Sequence, residues 1–189
     1  MEREGIRIDP QMLSRLSGDF AQRMAQYEAE AYGLAGREFN IGFVGDQVLP
    51  IAELCFDNMP EGSWPILTYA AKWDVGSPED LGSVPVCPAS ITPELQKRMV
   101  TVARQAWEEL CGAEGYGRVD LRVDAAGQPF VLEVNPNPDI SDSAGLSRMA
   151  KAFGWEYDDL ICRIVDEALS RSSSRQAAAA LVAPALPAQ

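Results

Sequence analysis

The sequence predicts an α+β fold in which helices flank a largely antiparallel sheet. Between Gly115 and Asn135 apolar and polar residues alternate along two arms joined by a short turn, a pattern typical of a hairpin. Two further strand candidates, at 38–44 and 47–54, are separated by Gly45-Asp46, a dipeptide that suits a tight turn. Apolar residues at helical spacing follow Thr92 and recur at 144–153 and 157–169.

Helix-forming spacing and residues that begin or end helices predict the remaining elements. A helix is expected over 9–26, where apolar side chains recur every three to four residues. Thr92 and Pro93 suit the N-cap and first turn of a second helix, and Gly154 suits a helix end. We predict a strand at 66–73 and, because Gly, Ser and Pro are frequent there, a long loop at 74–88. The tail beyond Ser170 offers little varied apolar surface, so we expect one domain over 1–170 and disorder at 171–189.

Composition excludes several classes of function. The formal net charge is −12, from 28 acidic and 16 basic residues, so nucleic acid and anionic membranes are not expected as partners. The chain has no histidine, which excludes a Ser-His-Asp triad and a histidine-bound metal. Its four cysteines are scattered and form no Cys-x-x-Cys pair, which argues against zinc. With no long apolar run and no signal-peptide pattern, the protein is expected to be cytoplasmic.

The hairpin carries the candidate site. If a four-residue turn places Asp124 opposite Pro129, then Asp120 lies opposite Glu133 on the polar face. Opposed like charges have β-carbons about 4.5–5.5 Å apart and are destabilising unless a cation neutralises them. Asn135 adds a neutral oxygen on the same face, and such an all-oxygen set suits Mg²⁺.

Arginines on the hairpin allow a second interpretation. Arg118 points to the same face and could stabilise charge on a transferring phosphoryl group or a tetrahedral intermediate. The alternative is a solvated polar face on which Arg118 and Arg122 pair with Asp120 and Asp124. Alternation alone favours the solvated face, because such faces are common in antiparallel sheets.

The motifs resemble those of the D-alanine:D-alanine ligase-like ATP-grasp family. Gly115-Tyr-Gly-Arg-Val-Asp120-Leu-Arg-Val-Asp and Gly127-Gln-Pro-Phe-Val-Leu-Glu133-Val-Asn135-Pro-Asn-Pro-Asp-Ile-Ser141 are similar to the family's signature. Gly36-Arg-Glu38-Phe-Asn and Ile66-Leu-Thr-Tyr-Ala-Ala-Lys72-Trp are similar to two earlier segments, in the family's order. The resemblance implies the fold of the C-terminal portion of an ATP-grasp domain.

The resemblance also implies site residues. Asp120 and Glu133 would be ligands of Mg²⁺, with Glu133 bridging two ions and Asn135 completing the second site; Mn²⁺ is the alternative ion. Arg118 would be catalytic, stabilising phosphoryl transfer or the tetrahedral intermediate.

Three further residues would bind ATP. By resemblance Lys72 would reach toward the nucleotide and Glu38 would bind the ribose hydroxyls. Glu30 would lie at the adenine hinge, where Gly33 is an extra residue relative to the usual spacing.

The implied reaction joins a small-molecule carboxylate to an amine at the expense of ATP, through an acyl phosphate. The family carries further segments ahead of the helix expected near Asp9, so we expect the chain to be incomplete alone. A partner chain or self-association would supply the missing half. Asp139 stands where D-alanine ligases generally have glycine, which leaves the substrate open. The alternative function is a truncated, non-catalytic binding or interaction module that retains at most nucleotide and metal binding.

Overall fold

An antiparallel sheet is the main element of the described residues. The computed structural model describes residues 36–63, 65–67, 71 and 74–182, with side chains as far as residue 171. The strand order is β4-β3-β1-β5-β6, with β2 paired to β1, and every pairing is antiparallel. This confirms the predicted sheet. The strands are β1 Gly36–Val44, β2 Gln47–Val48, β3 Ala52–Cys55, β4 Val84–Val86, β5 Tyr116–Asp124 and β6 Pro129–Asn135.

Four helices accompany the sheet in the described residues: α1 Pro78–Gly82, α2 Pro93–Cys111, α3 Gly145–Phe153 and α4 Tyr157–Val182. Thr92 caps α2, as predicted, because its hydroxyl accepts a hydrogen bond from the Leu95 amide at 3.3 Å. Gly154 ends α3 in the left-handed conformation at φ 99°, which glycine adopts without strain. Within these residues no helix combines the length and the apolar character that a membrane span requires.

The two faces of the sheet are covered unequally. On one face α2 buries the apolar side chains of β1 and β5, and the Phe43 and Trp107 rings stack with centroids 5.7 Å apart. On the other face a second cluster that includes Leu146 and Met149 of α3 packs over Gly42, near the end of β1. The remainder of this second face carries polar and charged side chains. Helix packing therefore confines the polar residues to one part of one face.

Two strand predictions need correction. The segment 47–54 is two strands, because Pro50 lies at the break and cannot donate a ladder hydrogen bond. The predicted loop 74–88 contains α1 and β4. Ser77 accepts a hydrogen bond from Asp80 N and Pro78 opens the helix, a start signal that the loop-like composition concealed.

Other predictions fall at the limits of the described chain. The helix expected at 9–26 lies outside the described residues. Of the strand expected at 66–73, Ile66 and Leu67 are in no strand and Ala71 is helical, and the others lie outside the described residues.

The last helix, α4, runs on to Val182, which differs from the disorder expected after Ser170. Alanine has the highest helix propensity, and 177–180 are all alanine, which favours continuation of the helix there. The domain limit at 170 stays a prediction.

Close packing between β5 and α2 gives a first prediction. A Cβ added at Gly117 would lie 2.3 and 2.4 Å from ring atoms of Trp107 and 3.0 Å from the Asn135 carbonyl oxygen. Gly117→Ala should therefore lower the free energy of unfolding by about 1–3 kcal/mol through overpacking. Gly145→Ala is the control, since the nearest atom there is 3.9 Å away. Equal urea midpoints for the two variants would contradict the packing described here.

Candidate functional site

The hairpin brings Asp120 opposite Glu133, as predicted, although by a different route. Pro129 pairs with Val123, whereas the prediction placed it opposite Asp124, so the predicted register at the turn is wrong by one residue. Leu121 pairs with Val131 and Asp120 with Glu133, which makes Leu132 an extra, bulged residue. The bulge restores the predicted pairing of the two carboxylates.

The bulge also changes which apolar residues share a face. Phe130 was expected on the apolar face, but it pairs with Arg122 and so lies on the polar one. Val131 pairs with Leu121 and lies on the α2 side. Phe130, Val131 and Leu132 are 39%, 38% and 41% exposed, although β6 was expected to bury one clean face.

One polar row crosses three strands. Side chains two residues apart on a strand share a face, and directly paired residues of neighbouring strands share it too. The row therefore joins the residues predicted on the hairpin with two positions of β1. Its members are Glu38 and Asn40 on β1, Arg118, Asp120 and Arg122 on β5, and Glu133 and Asn135 on β6.

Asp120 is held by two neighbours. Arg118 donates to both of its carboxylate oxygens, from Nε at 2.6 Å and from Nη2 at 2.8 Å, and Asn40 Nδ2 donates to Oδ1 at 2.8 Å. Burial disfavours the charged form of Arg118, but the hydrogen bond and charge of Asp120, with Glu133 and Glu38 nearby, outweigh it and raise its pKa. The pairing of Arg118 with Asp120, expected under the alternative interpretation, is therefore present.

The second predicted pairing is wrong. Arg122 contacts Glu38 across β1 and β5, with Nη1 and Oε2 3.2 Å apart, rather than Asp124. Asp124 instead accepts hydrogen bonds from the Ala126 and Gln128 amides and so stabilises the turn. The Arg122 and Glu38 side chains are 2% and 8% exposed, so this ion pair is almost fully buried.

The donor set on β5 and β6 fits a hard divalent cation. Asp120, Glu133 and Asn135 offer carboxylate and amide oxygens, the ligands that Mg²⁺ prefers, and the Glu133 side chain is exposed. The Asn135 Oδ1 atom accepts a hydrogen bond from the Asn137 amide at 3.0 Å, which fixes the amide group at the start of the next loop. The described part of the chain contains no cluster of three or more Cys, Asp or Glu side chains arranged for a metal, so solvent or substrate oxygens would complete any coordination sphere.

The loop after β6 holds Asp139 at the surface. Its carboxylate accepts hydrogen bonds from the Ser141 amide at 2.8 Å and the Ser141 hydroxyl at 3.1 Å. These two bonds, the backbone one first, lower the pKa of Asp139 below its ordinary value of 3.8. The Asp139 side chain is thus held by its own loop.

The structure groups five of the seven predicted site residues: Glu38, Arg118, Asp120, Glu133 and Asn135. Lys72 and Glu30 lie outside the described residues. Sequence reasoning missed Asn40, although the alternation after Glu38 places it on the same face. It also gave Arg122 the wrong partner, because the pairing of β1 with β5 joins residues 84 positions apart.

This fold is that of the C-terminal portion of an ATP-grasp ligase. The family model for the D-ala D-ala ligase C-terminus matches residues 21–166, and the chain belongs to that family. Among curated relatives, the D-alanine–D-alanine ligases of Pseudoalteromonas translucida (strain TAC 125) and Halorhodospira halophila (strain DSM 244 / SL1) are 33% and 34% identical. The matches cover 72% and 75% of this chain and 40% and 42% of those proteins.

Solved structures show the same fold. The D-alanine–D-alanine ligase from Bacillus anthracis complexed with ATP gives a TM-score of 0.56 at 20% identity, over 74% of this chain and 40% of that one. The D-alanine–D-alanine ligase from Coxiella burnetii gives a TM-score of 0.58 at 16% identity, over 77% of this chain and 35% of that one. The chain thus spans about two fifths of the length of the relatives and structures it matches.

The Asp139 loop gives a second prediction. Ser141→Ala removes the hydroxyl donor and keeps the amide, so the pKa of Asp139 should rise part of the way to its ordinary value. Because the folded pKa lies below the unfolded one, the stabilisation by this carboxylate is present above pH 3.8 and is lost as the pH falls through the folded pKa. Carboxyl-carbon NMR titration measures the change, with Ser143→Ala as the control. An unchanged Asp139 titration in Ser141→Ala would contradict the role of the hydroxyl.

Proposed function

We propose that this chain is the ATP- and Mg²⁺-binding portion of a carboxylate–amine ligase that forms an amide bond through an acyl phosphate. The observation that carries the proposal is the pairing of Asp120 with Glu133, with Asn135 and Arg118 on the same face. Membership in the family supplies the reaction class, and the ATP named in one structural relative supports the nucleotide.

Asp120, Glu133 and Asn135 would hold the metal ions, with Glu133 between two of them. Bound Mg²⁺, or Mn²⁺ in its place, would neutralise phosphate charge in this site. Two carboxylates on neighbouring strands repel each other, and Arg118 compensates one of them, so the strands tolerate the arrangement before any ligand binds.

Arg118 would act on an anion as well as on Asp120. Its Nε and Nη2 atoms bond Asp120, while Nη1 lies toward Gly145, 4.0 Å from where a Cβ on that residue would be. Gly145 is the first residue of α3, and the amides at a helix start favour negative charge. Arg118 would therefore stabilise charge that develops on a phosphoryl group or a tetrahedral intermediate near this end of the row.

The nucleotide would lie along the β1 side of the row. Glu38 would bind the ribose hydroxyls, Lys72 would reach the phosphates and Glu30 would contact the adenine. Small-molecule carboxylate and amine substrates would meet near the loop after β6. Asp139 there adds a negative charge, which disfavours an anionic substrate close to it and leaves D-alanine as only one of the candidates.

Glu133→Gln tests the proposal directly. The change keeps the shape of the side chain and removes the charge, so affinity for Mg-ATP should fall by at least the roughly 10–100-fold that loss of an outer-shell partner costs. Isothermal titration calorimetry of the full chain measures this affinity. Glu108→Gln on α2, an exposed glutamate on the other side of the sheet, is the matched control. Equal Mg-ATP affinity in wild type and Glu133→Gln, with both folded by circular dichroism, would reject the metal assignment.

Exposed apolar residues on β6 favour a second candidate function, that of an interaction module. Phe130, Val131 and Leu132 are each exposed by more than a third. Within the described part of the chain no strand covers the outer edge of β6. An uncovered strand with apolar side chains can pair with a partner chain or with a second copy.

Light scattering and thermal unfolding separate the two candidates. A ligase portion should be stabilised by Mg-ATP, by about 2.7 kcal/mol at a concentration 100 times the dissociation constant. An interaction module should instead form an oligomer that Val131→Lys converts to a monomer, with no response to nucleotide. A monomer that Mg-ATP stabilises would reject the module.

A further inference from the structure

Arg122 is the most buried charged residue among those described, and the proposed function gives it no role. Its side chain is 2% exposed. Its guanidinium donates from Nη1 to Glu38 Oε2 at 3.2 Å and from Nη2 to the Pro65 carbonyl at 2.8 Å and the Gly36 carbonyl at 3.4 Å. These partners come from two places in the chain, β1 and Pro65, which are 57 to 86 residues away from Arg122.

The three partners lie in or next to segments that carry the proposed nucleotide-binding residues. Glu38 is the proposed ribose ligand. Gly36 begins β1 and sits directly on β5, since a Cβ there would lie 1.9 Å from the Val123 carbonyl oxygen. Pro65 opens the segment that leads to Lys72. Gly36 and Pro65 also line one side of a cleft of about 200 Å³ beside β3.

Burial of a guanidinium is favourable only when its donors meet well-placed acceptors. Arginine presents its donors in a rigid planar fork, so three acceptors that bind it are fixed relative to one another. A surface ion pair would not impose this constraint, because both side chains could reorient in water. Arg122 therefore holds β1 and the segment at Pro65 in a fixed position relative to each other.

We infer that Arg122 is a positioning residue for the nucleotide half of the site: it orients the Glu38 carboxylate and anchors the segment that leads to Lys72. The nucleotide part of this inference rests on the proposed function. The anchoring part rests on the hydrogen bonds of Arg122 alone, and the two are tested separately.

Hydrogen exchange tests the anchoring without any ligand. In the full chain, Arg122→Met should accelerate amide exchange at least tenfold in peptides covering 36–40 and 62–71, while α2 stays protected. Arg122→Lys keeps the charge but lacks the fork, and should give an intermediate effect in the same two peptides. It also provides the test if Arg122→Met does not fold.

Arg37→Met is the matched control. Arg37 also forms an arginine–glutamate pair on β1, with Glu53 at 2.6 Å, but as an odd-numbered β1 residue it lies on the α2 side of the sheet. Its loss should leave exchange in 62–71 unchanged. Unchanged exchange in 62–71 in both Arg122 variants would overturn the anchoring role.

Ribose discrimination tests the positioning of Glu38. If the hydroxyls bond an oriented carboxylate, wild type should bind Mg-ATP about 10–100-fold more tightly than Mg-2′,3′-dideoxy-ATP, the ratio that a hydrogen bond to a charged group contributes. In Arg122→Lys this ratio should fall toward one, while the affinity for magnesium tripolyphosphate stays within about twofold of wild type.

The outcomes are distinguishable. If all three ligands weaken in parallel in Arg122→Lys, Arg122 supports the fold in general and the positioning role is rejected. If wild type binds none of the three, the proposed function fails, and the exchange experiment still decides whether Arg122 anchors the segment at Pro65.

Discussion

The repulsion between Asp120 and Glu133 is the constraint on which the site depends. The two carboxylates face each other across neighbouring strands, where like charges are destabilising. Arg118 and Asn40 compensate Asp120 with three short hydrogen bonds. Breaking such a largely buried pair by removing one partner costs about 3–5 kcal/mol, so the arrangement persists only as a group. The charge of Glu133 is left at the exposed end of this group, where a cation can reach it.

The unequal covering of the sheet makes this charged row tolerable. Helix α2 buries the apolar side chains of β1 and β5 on one face, which provides the main core. Helices α3 and α4 cover only the far part of the other face. The row pairs Arg122 with Glu38 and Arg118 with Asp120, all four largely buried, so these charges lie in a low-dielectric setting with their partners in place. The hydrogen bonds and ion pairs within the row thus hold its side chains in one arrangement.

Family membership and geometry support each other at different levels. The match over residues 21–166 establishes the family, while the structural relatives, at 16–22% identity, establish the fold. The grouping of five predicted residues on one face agrees with the proposed chemistry. In the loop after β6, two hydrogen bonds with Ser141 hold the Asp139 carboxylate at the position where the resemblance implies glycine.

Alternation and helix spacing by themselves determined the antiparallel hairpin, the start of α2 at Thr92 and the acidic face that carries Asp120 and Glu133, because these depend on neighbours in the chain. Composition misjudged 74–88, where the local cap at Ser77 starts a short helix, and the region after Ser170, where α4 continues. Only the tertiary structure decided the bulge at Leu132, the contact of Asn40 with Asp120 and the partner of Arg122. The contacts of Asn40 and Arg122 depend on the pairing of β1 with β5, which joins residues some 80 positions apart and is set by the packing of the whole sheet.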